Sequence, residues 1–248
     1  MSDVDFNVEL PEYVTPSDLL TQIESFSITA RGLQKEIGVS EIGMACQRCV
    51  IRKLAGVEKQ QQIGSWRAQL GTYVHAGLAD EFEKRYAATG QAIIESSLQV
   101  HEYKSLNLRG SCDAFFPNGG RGLVADWKIV GDDTLESVRS GNIKEQYITQ
   151  GHLYALGWEK LGFTIENVAI MFLPANKGNL QRDAVPVVFP YDRAHAVRAL
   201  AKIENYIDLA EKIGWDELLR QHAPAKGCLS CKQYTAADNP IHDLTLRK

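Results

Sequence analysis

The stretch Leu108-Arg-Gly-Ser-Cys-Asp-Ala-Phe-Phe116, then Pro117-Asn-Gly-Gly-Arg-Gly122, then Leu123-Val-Ala-Asp-Trp-Lys-Ile-Val130 decides how this chain is read. Two apolar, strand-like runs flank a turn rich in Gly and Asn, a pattern that predicts a β-hairpin. Its charges do not suit a plain hairpin. Asp113 falls in the first run, while Asp126 and Lys128 lie two apart in the second and so share a face. Burying three ionisable groups beside Phe115, Phe116, Val124 and Trp127 is costly unless they are paired or bind a metal. An ion pair accounts for the lysine and one aspartate and leaves the other unexplained. Two carboxylates converging beside one lysine make a better site for a divalent cation and the water it activates.

Working outward, residues 70–86 form an amphipathic helix with Val74, Leu78, Phe82 and Tyr86 as its buried stripe. His75 sits beside that stripe, where a histidine is more often structural than a ligand. Residues 92–101 read as a strand leading into the hairpin, and Gly131-Asp-Asp reads as a turn after it. A helix over 142–161 puts Gln146, Gln150 and Tyr154 on one face, a row of the kind usually found at a surface. Strands follow at 167–173 and 184–189, and Pro186 assigns the second to a sheet edge. Helices over 193–213 and 215–221 complete the body.

Before the hairpin, residues 1–14 read as an extended arm, and Pro16-Ser-Asp opens a helix over 19–33. Ser40 reads as the cap of a helix over 41–55 bearing Cys46 and Cys49. Arg48, Arg52 and Lys53 on that helix read as a solvated face, or as a phosphate contact if the hairpin site belongs to a nuclease. The order of elements predicts one α/β domain over 1–248, a mixed central sheet flanked by helices, with 70–160 as the core that would carry the catalytic residues.

The chain has 248 residues, 44% hydrophobic and 23% charged, enough for a sizeable core in an ordinary globular protein. The net charge of −4 argues against a protein coated in basic residues and leaves room for a local basic groove. No run has the length of a membrane span and the start lacks a signal-peptide layout, so a cytoplasmic location and no membrane partner are expected. Four of the five cysteines form two knuckles, Cys46-Gln-Arg-Cys49 and Cys228-Leu-Ser-Cys231. In a reducing compartment such pairs read as metal ligands, a four-thiolate site over 41–55 and 222–234 that staples the N-terminal helix to the C-terminal segment. His222 lies near enough to Cys228 in sequence to be considered as a substitute ligand.

In order, the motifs are Cys-x-x-Cys, Gly-x-x-x-His, Gly-x-x-Asp, Asp-x-Lys, Gln-x-x-x-Tyr and Cys-x-x-Cys, spanning Cys46 to Cys231. That series resembles the RecB-like branch of the PD-(D/E)xK nucleases. It is most similar to the iron–sulfur exonucleases related to the CRISPR-associated RecB-like nuclease, many of them from bacteriophages. The resemblance implies a restriction-endonuclease-like mixed sheet and a DNA exonuclease dependent on Mg²⁺ or Mn²⁺, active in recombination, repair or processing. DNA is the implied partner, with a recombination or replication protein as a further one; ring-forming and monomeric relatives share the motifs. Position by position, His75, Asp113 and Asp126 match the metal ligands and Lys128 matches the lysine that orients or activates the attacking water. Gln150 and Tyr154 match the helix motif near the scissile phosphate. Cys46, Cys49, Cys228 and Cys231 match the cluster cysteines, which favours [4Fe–4S].

There are two departures. Asp126 stands where many relatives carry Glu, and the cysteines split two and two where iron–sulfur relatives often split one and three. Two such knuckles are also the usual arrangement for structural Zn²⁺. The reading from a different class is a non-catalytic DNA-binding or assembly module built round the thiolate site.

Overall fold

The computed structural model describes residues 15–21, 36–57, 66–86, 89–228 and 230–233. The expected arm over 1–14, and the expected helix over 19–33 beyond residue 21, lie outside the described residues. One five-stranded sheet organises the rest, in the order β1 (Ile93–Tyr103), β2 (Leu106–Phe116), β3 (Gly122–Val130), β4 (Ile165–Pro174), β5 (Val185–Pro190). Neighbours are antiparallel except β3 and β4, which run parallel, so the sheet is mixed as expected. β5 is an edge strand and carries Pro186.

Parallel neighbours need a long crossover, and two helices supply it. The second, α4 (Glu145–Lys160), was expected; the first, α3 (Asp132–Arg139), replaces the expected turn at 131–133. Gly131 is its N-cap, Asp132 and Asp133 place negative charge in its first turn, and Leu135 and Val138 are buried beneath it. The acidic pair that reads as a turn is thus well suited to a helix start.

Alternation along β3 and β4 sorts the two faces of the sheet. Val124 and Val168 pack in the main core, which includes Leu153, Trp158, Leu200 and Ile203 of α4 and α5 (Arg193–Ile213). Ala125, Trp127 and Ala169 point the other way, towards Leu78 and Phe82 of α2 (Trp66–Tyr86), where Phe82 stacks on Trp127 at 5.3 Å. In α4 every residue from Thr149 to Trp158 is buried. The Gln150–Tyr154 face is therefore interior, because α4 lies between the sheet and α5.

Close approach of α4 to the sheet depends on Gly151. A methyl group there would stand 2.5 Å from Cγ1 of Val168, a fully buried side chain. Gly151→Ala is expected to destabilise the fold by about 2 kcal/mol through overpacking, read as a melting temperature lower by roughly 4–8 °C.

Helix α1 (Gln47–Leu54) starts later than expected. Ser40 lies inside the 3-10 turn Val39–Glu41, and Cys46 is the α1 N-cap. Between them the chain crosses α4 so closely that a Cβ on Gly43 would lie 2.8 Å from the Gln146 Cα, which fits a turn there better than helix. Arg48 and Arg52 are fully buried, so the solvated and phosphate-contacting readings both fail for them. Arg48 donates to the carbonyl oxygens of Leu219 and His222, tying α1 to the end of α6 (Trp215–Gln221).

Candidate active site

The β2–β3 ladder pairs Phe116 with Leu123, Phe115 with Val124 and Ala114 with Ala125, and then stops. The next residues on the two strands are Asp113 and Asp126. Where the backbone ladder ends, the Trp127 N–H donates instead to Asp113 Oδ2 at 2.6 Å. A side chain thus satisfies a buried backbone donor where the strands part.

Asp113 Oδ1 lies 3.2 Å from His75 Nδ1, so α2 and β2 meet at this point. That hydrogen bond raises the His75 pKa above its ordinary value, against the opposing effect of burial. Asp126, 2% exposed, is held on two sides. Gln150 Nε2 donates to its Oδ1 at 2.9 Å and also contacts the Tyr154 hydroxyl at 3.2 Å. Lys128 Nζ lies 2.6 Å from Oδ2, within ion-pair reach but without the alignment of a hydrogen bond. Burial pushes the Asp126 carboxyl up to about 6; Lys128 counters that shift, while Asp113 adds to it. Burial likewise raises the Tyr154 pKa, so its phenol stays protonated. The Lys128 ammonium also sits 5.7 Å from the centroid of the Tyr147 ring.

A cleft of about 810 Å³ opens over the parted strands, lined among others by Arg67, His75, Glu95, Asp113 and Lys128. Asp126, Gln150 and Tyr154 are not among its lining residues. The structure therefore brings the six site residues expected from sequence into one region, but in two groups. His75 and Asp113 face the cleft, while Gln150, itself in contact with the Tyr154 hydroxyl, braces Asp126 behind Lys128.

Glu95 is the member that sequence reasoning missed. One ligand atom each from His75, Glu95 and Asp113 lie within 4.8 Å of one another, a group that does not include Asp126. Glu95 falls between the Ile94–Ala114 and Ser96–Cys112 pairs, hence opposite Asp113. Its φ of +46° is in the left-handed region, unusual for a residue with a side chain. The only sequence signal was an acid next to two isoleucines, which is commonplace on a half-exposed strand.

Away from the cleft, the Sγ atoms of Cys46, Cys49, Cys228 and Cys231 gather within 4.8 Å of one another, joining the N- and C-terminal segments as expected. Burial pushes Cys231 up to about 11. At Cys46, N–H groups of Ala225 and Cys49 outweigh burial and bring the thiol down to about 7. His222 is turned to the Leu218 carbonyl at 2.8 Å and takes no part in the four-sulfur group. Cys112 is buried in the main core. His101 reaches Glu204, His152 accepts from the Asp192 N–H, and His195 pairs with Thr149, so these three have structural partners.

The fold and site define an α/β protein with a cleft lined by both acidic and basic side chains where two strands of its sheet part, and with a separate four-cysteine centre. Among solved structures, the alkaline exonuclease of Laribacter hongkongensis matches with 12% identity over 79% of this chain and 97% of that one, at a TM-score of 0.48. Its complex with dAMP matches with 16% identity over 75% and 93%, at 0.49. A phage-related exonuclease from Haemophilus somnus 129PT matches with 14% identity over 75% and 96%, at 0.47. No protein-family model and no curated protein matches the sequence. Likeness this slight has no bearing on activity, so the functional reading rests on the side chains. Among the described residues, no helix is long and apolar enough to cross a membrane.

Proposed function

We propose that this chain is a divalent-metal-dependent deoxyribonuclease of the RecB-like kind, a single nuclease domain that digests DNA from its ends. The observation that carries the reading is the parting of β2 and β3 at Asp113 and Asp126, with His75 and Lys128 at the same cleft.

The carboxylates suit Mg²⁺ or Mn²⁺, and the imidazole is the less usual ligand, accepted more readily by Mn²⁺. Asp113 and His75 would hold the ion from the cleft side, with Glu95 as a further ligand. Asp126, whose Oδ2 also carries the Lys128 contact, would add its negative charge from behind that group. A bound cation supplies Lewis acidity at the phosphate and makes water a better nucleophile.

The protein's own groups have separable tasks. Lys128 offers fixed positive charge where the phosphate becomes more negative in the transition state. Asp126 holds the Lys128 ammonium in place and Gln150, in contact with the Tyr154 hydroxyl, holds Asp126, which makes Gln150 and Tyr154 positioning residues. Arg67, on the cleft wall, suits a flanking phosphate.

The deciding experiment incubates end-labelled linear and closed circular DNA with the protein in Mg²⁺, Mn²⁺ or EDTA. Metal-dependent loss of linear DNA with circles intact is expected. Cutting of circles would replace the exonuclease reading with an endonuclease one. DNA binding without cleavage, in any metal, would favour the binding-module alternative. Glu95→Gln removes a ligand charge, so the Mg²⁺ concentration needed for half-maximal cleavage should rise by about tenfold or more, with DNA affinity in EDTA unchanged.

A further inference from the structure

We propose that the four-cysteine centre holds a single tetrahedral Zn²⁺ and not an iron–sulfur cluster. The sulfur spacing carries the argument. Cys46 and Cys231 Sγ are 3.5 Å apart, Cys49 and Cys228 3.6 Å, and Cys49 and Cys231 3.3 Å, with all four within 4.8 Å. Thiolates bound to one zinc at about 2.3 Å form a tetrahedron with edges of about 3.8 Å. A [4Fe–4S] cluster gives each thiolate its own iron at a separate corner of a cube, which spreads the sulfurs to roughly 6 Å. A [2Fe–2S] cluster needs two such pairs held comparably far apart. The centre is too small for either cluster.

Nor is it a loose site that would readily widen. Cys46, Cys49 and Cys231 are each 4% exposed or less, packed with Met44 and Ala225. Cys46 caps α1 and Cys49 lies in its first turn, so that knuckle is fixed by the helix. The Ala225 N–H donates to Cys46 Sγ at 3.4 Å, from the segment that leads into the other knuckle. Backbone N–H groups donated to sulfur favour the thiolate that zinc requires. Four thiolates round Zn²⁺ leave a net charge of −2, and the buried Arg48 guanidinium beside Cys46, Cys49 and Cys231 offsets part of it.

The centre shares no residue with the cleft but is linked to the helix behind it. The segment leading to Cys46 lies against α4, where Gln146 Nε2 donates to the Ser40 carbonyl at 2.7 Å. Val39 packs so near Gly110 and Tyr154 that a Cβ on Gly110 would stand 2.8 Å from Val39 and 2.9 Å from the Tyr154 ring. Zinc therefore anchors the segment that braces α4, the helix bearing Gln150.

The test uses the full chain from cells supplied with iron and cysteine, lysed and purified without oxygen so that an existing cluster would survive. Elemental analysis, acid-labile sulfide and the visible spectrum are measured together. One zinc per chain, no sulfide and a colourless protein are expected. Protein from cobalt-supplemented cells should show the intense visible bands of tetrahedral four-thiolate Co²⁺. Cys228→Ser should lose zinc occupancy and melt at a lower temperature; if it fails to fold, the cobalt spectrum of the unaltered chain still decides. Iron with acid-labile sulfide overturns the proposal, and so does folded protein free of metal. None of these readouts involves cleavage, so failure of the nuclease reading leaves the result intact.

Discussion

Lys128→Ala should lower the rate of DNA cleavage by about 10²–10³-fold, the usual loss when one preorganised charge is removed from a transition state. The effect should fall on the chemical step, measured as single-turnover hydrolysis of end-labelled linear duplex at saturating Mg²⁺. Affinity for DNA should change far less, because one ammonium is a small part of a phosphate-contacting surface. Lys128→Arg should recover only part of the rate. A planar guanidinium keeps the charge, but it cannot occupy the compact position 2.6 Å from Asp126 Oδ2 in the same way. Gln150→Ala offers a useful contrast. It releases Asp126 Oδ1 without touching the cleft, so its loss should be smaller and should appear partly as a weaker response to Mg²⁺. If Lys128→Ala stays within about threefold of the unaltered protein, charge stabilisation by this residue is not part of the mechanism.

Asp126→Asn should abolish cleavage and, in EDTA at pH 8, make the protein more stable. Burial raises the Asp126 carboxyl from its ordinary 3.8 to about 6 in the folded chain. A raised folded pKa means that this residue's contribution to stability is complete below pH 3.8 and is lost as pH rises through about 6. Above that, the ionised carboxylate costs about 2–3 kcal/mol that a neutral side chain of the same shape does not. Asn can still accept from Gln150 through Oδ1; its amide NH2 then meets the Lys128 ammonium, which must shift, and the gain expected here is what exceeds that cost. The variant should melt roughly 5–10 °C higher than the unaltered chain at pH 8 in EDTA. The advantage should shrink towards pH 4. Adding Mg²⁺ at pH 8 should narrow it as well, because the cation neutralises the carboxylate only where one is present. A variant less stable than the unaltered chain at pH 8 in EDTA would show that Lys128 already compensates Asp126 fully.

Both predictions start from residues that stand out in the sequence. Charge inside an apolar hairpin is conspicuous because burial is penalised unless something compensates it, and that holds whatever the rest of the fold does. The strands, the final two helices and the mixed sheet were legible for a similar reason: period-2 and period-3.6 patterns and edge prolines act locally. The two cysteine knuckles likewise announced a shared centre. Where local chemistry was ambiguous, the reading went astray. Gly131-Asp-Asp suits a turn and a helix start equally, and only Leu135 and Val138 packing beneath α3 chose between them.

The sequence by itself determined the class of fold, the four-cysteine centre and six residues that come together at or just behind the cleft. Tertiary structure alone decided their grouping. Gln150 and Tyr154 share a polar helical face that looks solvent-exposed until α4 is enclosed between the sheet and α5; Gln150 then turns inward to Asp126, with the Tyr154 hydroxyl beside it. Glu95 becomes a candidate ligand only because antiparallel register sets it opposite Asp113, and no local pattern encodes which residue of a distant strand a carboxylate will face. Sulfur spacing is of the same kind. Two Cys-x-x-Cys knuckles suit zinc or a cluster, and the choice depends on how closely α1 and the segment after α6 pack. Residue types set the available chemistry, whereas long-range packing sets the distances that select among its outcomes.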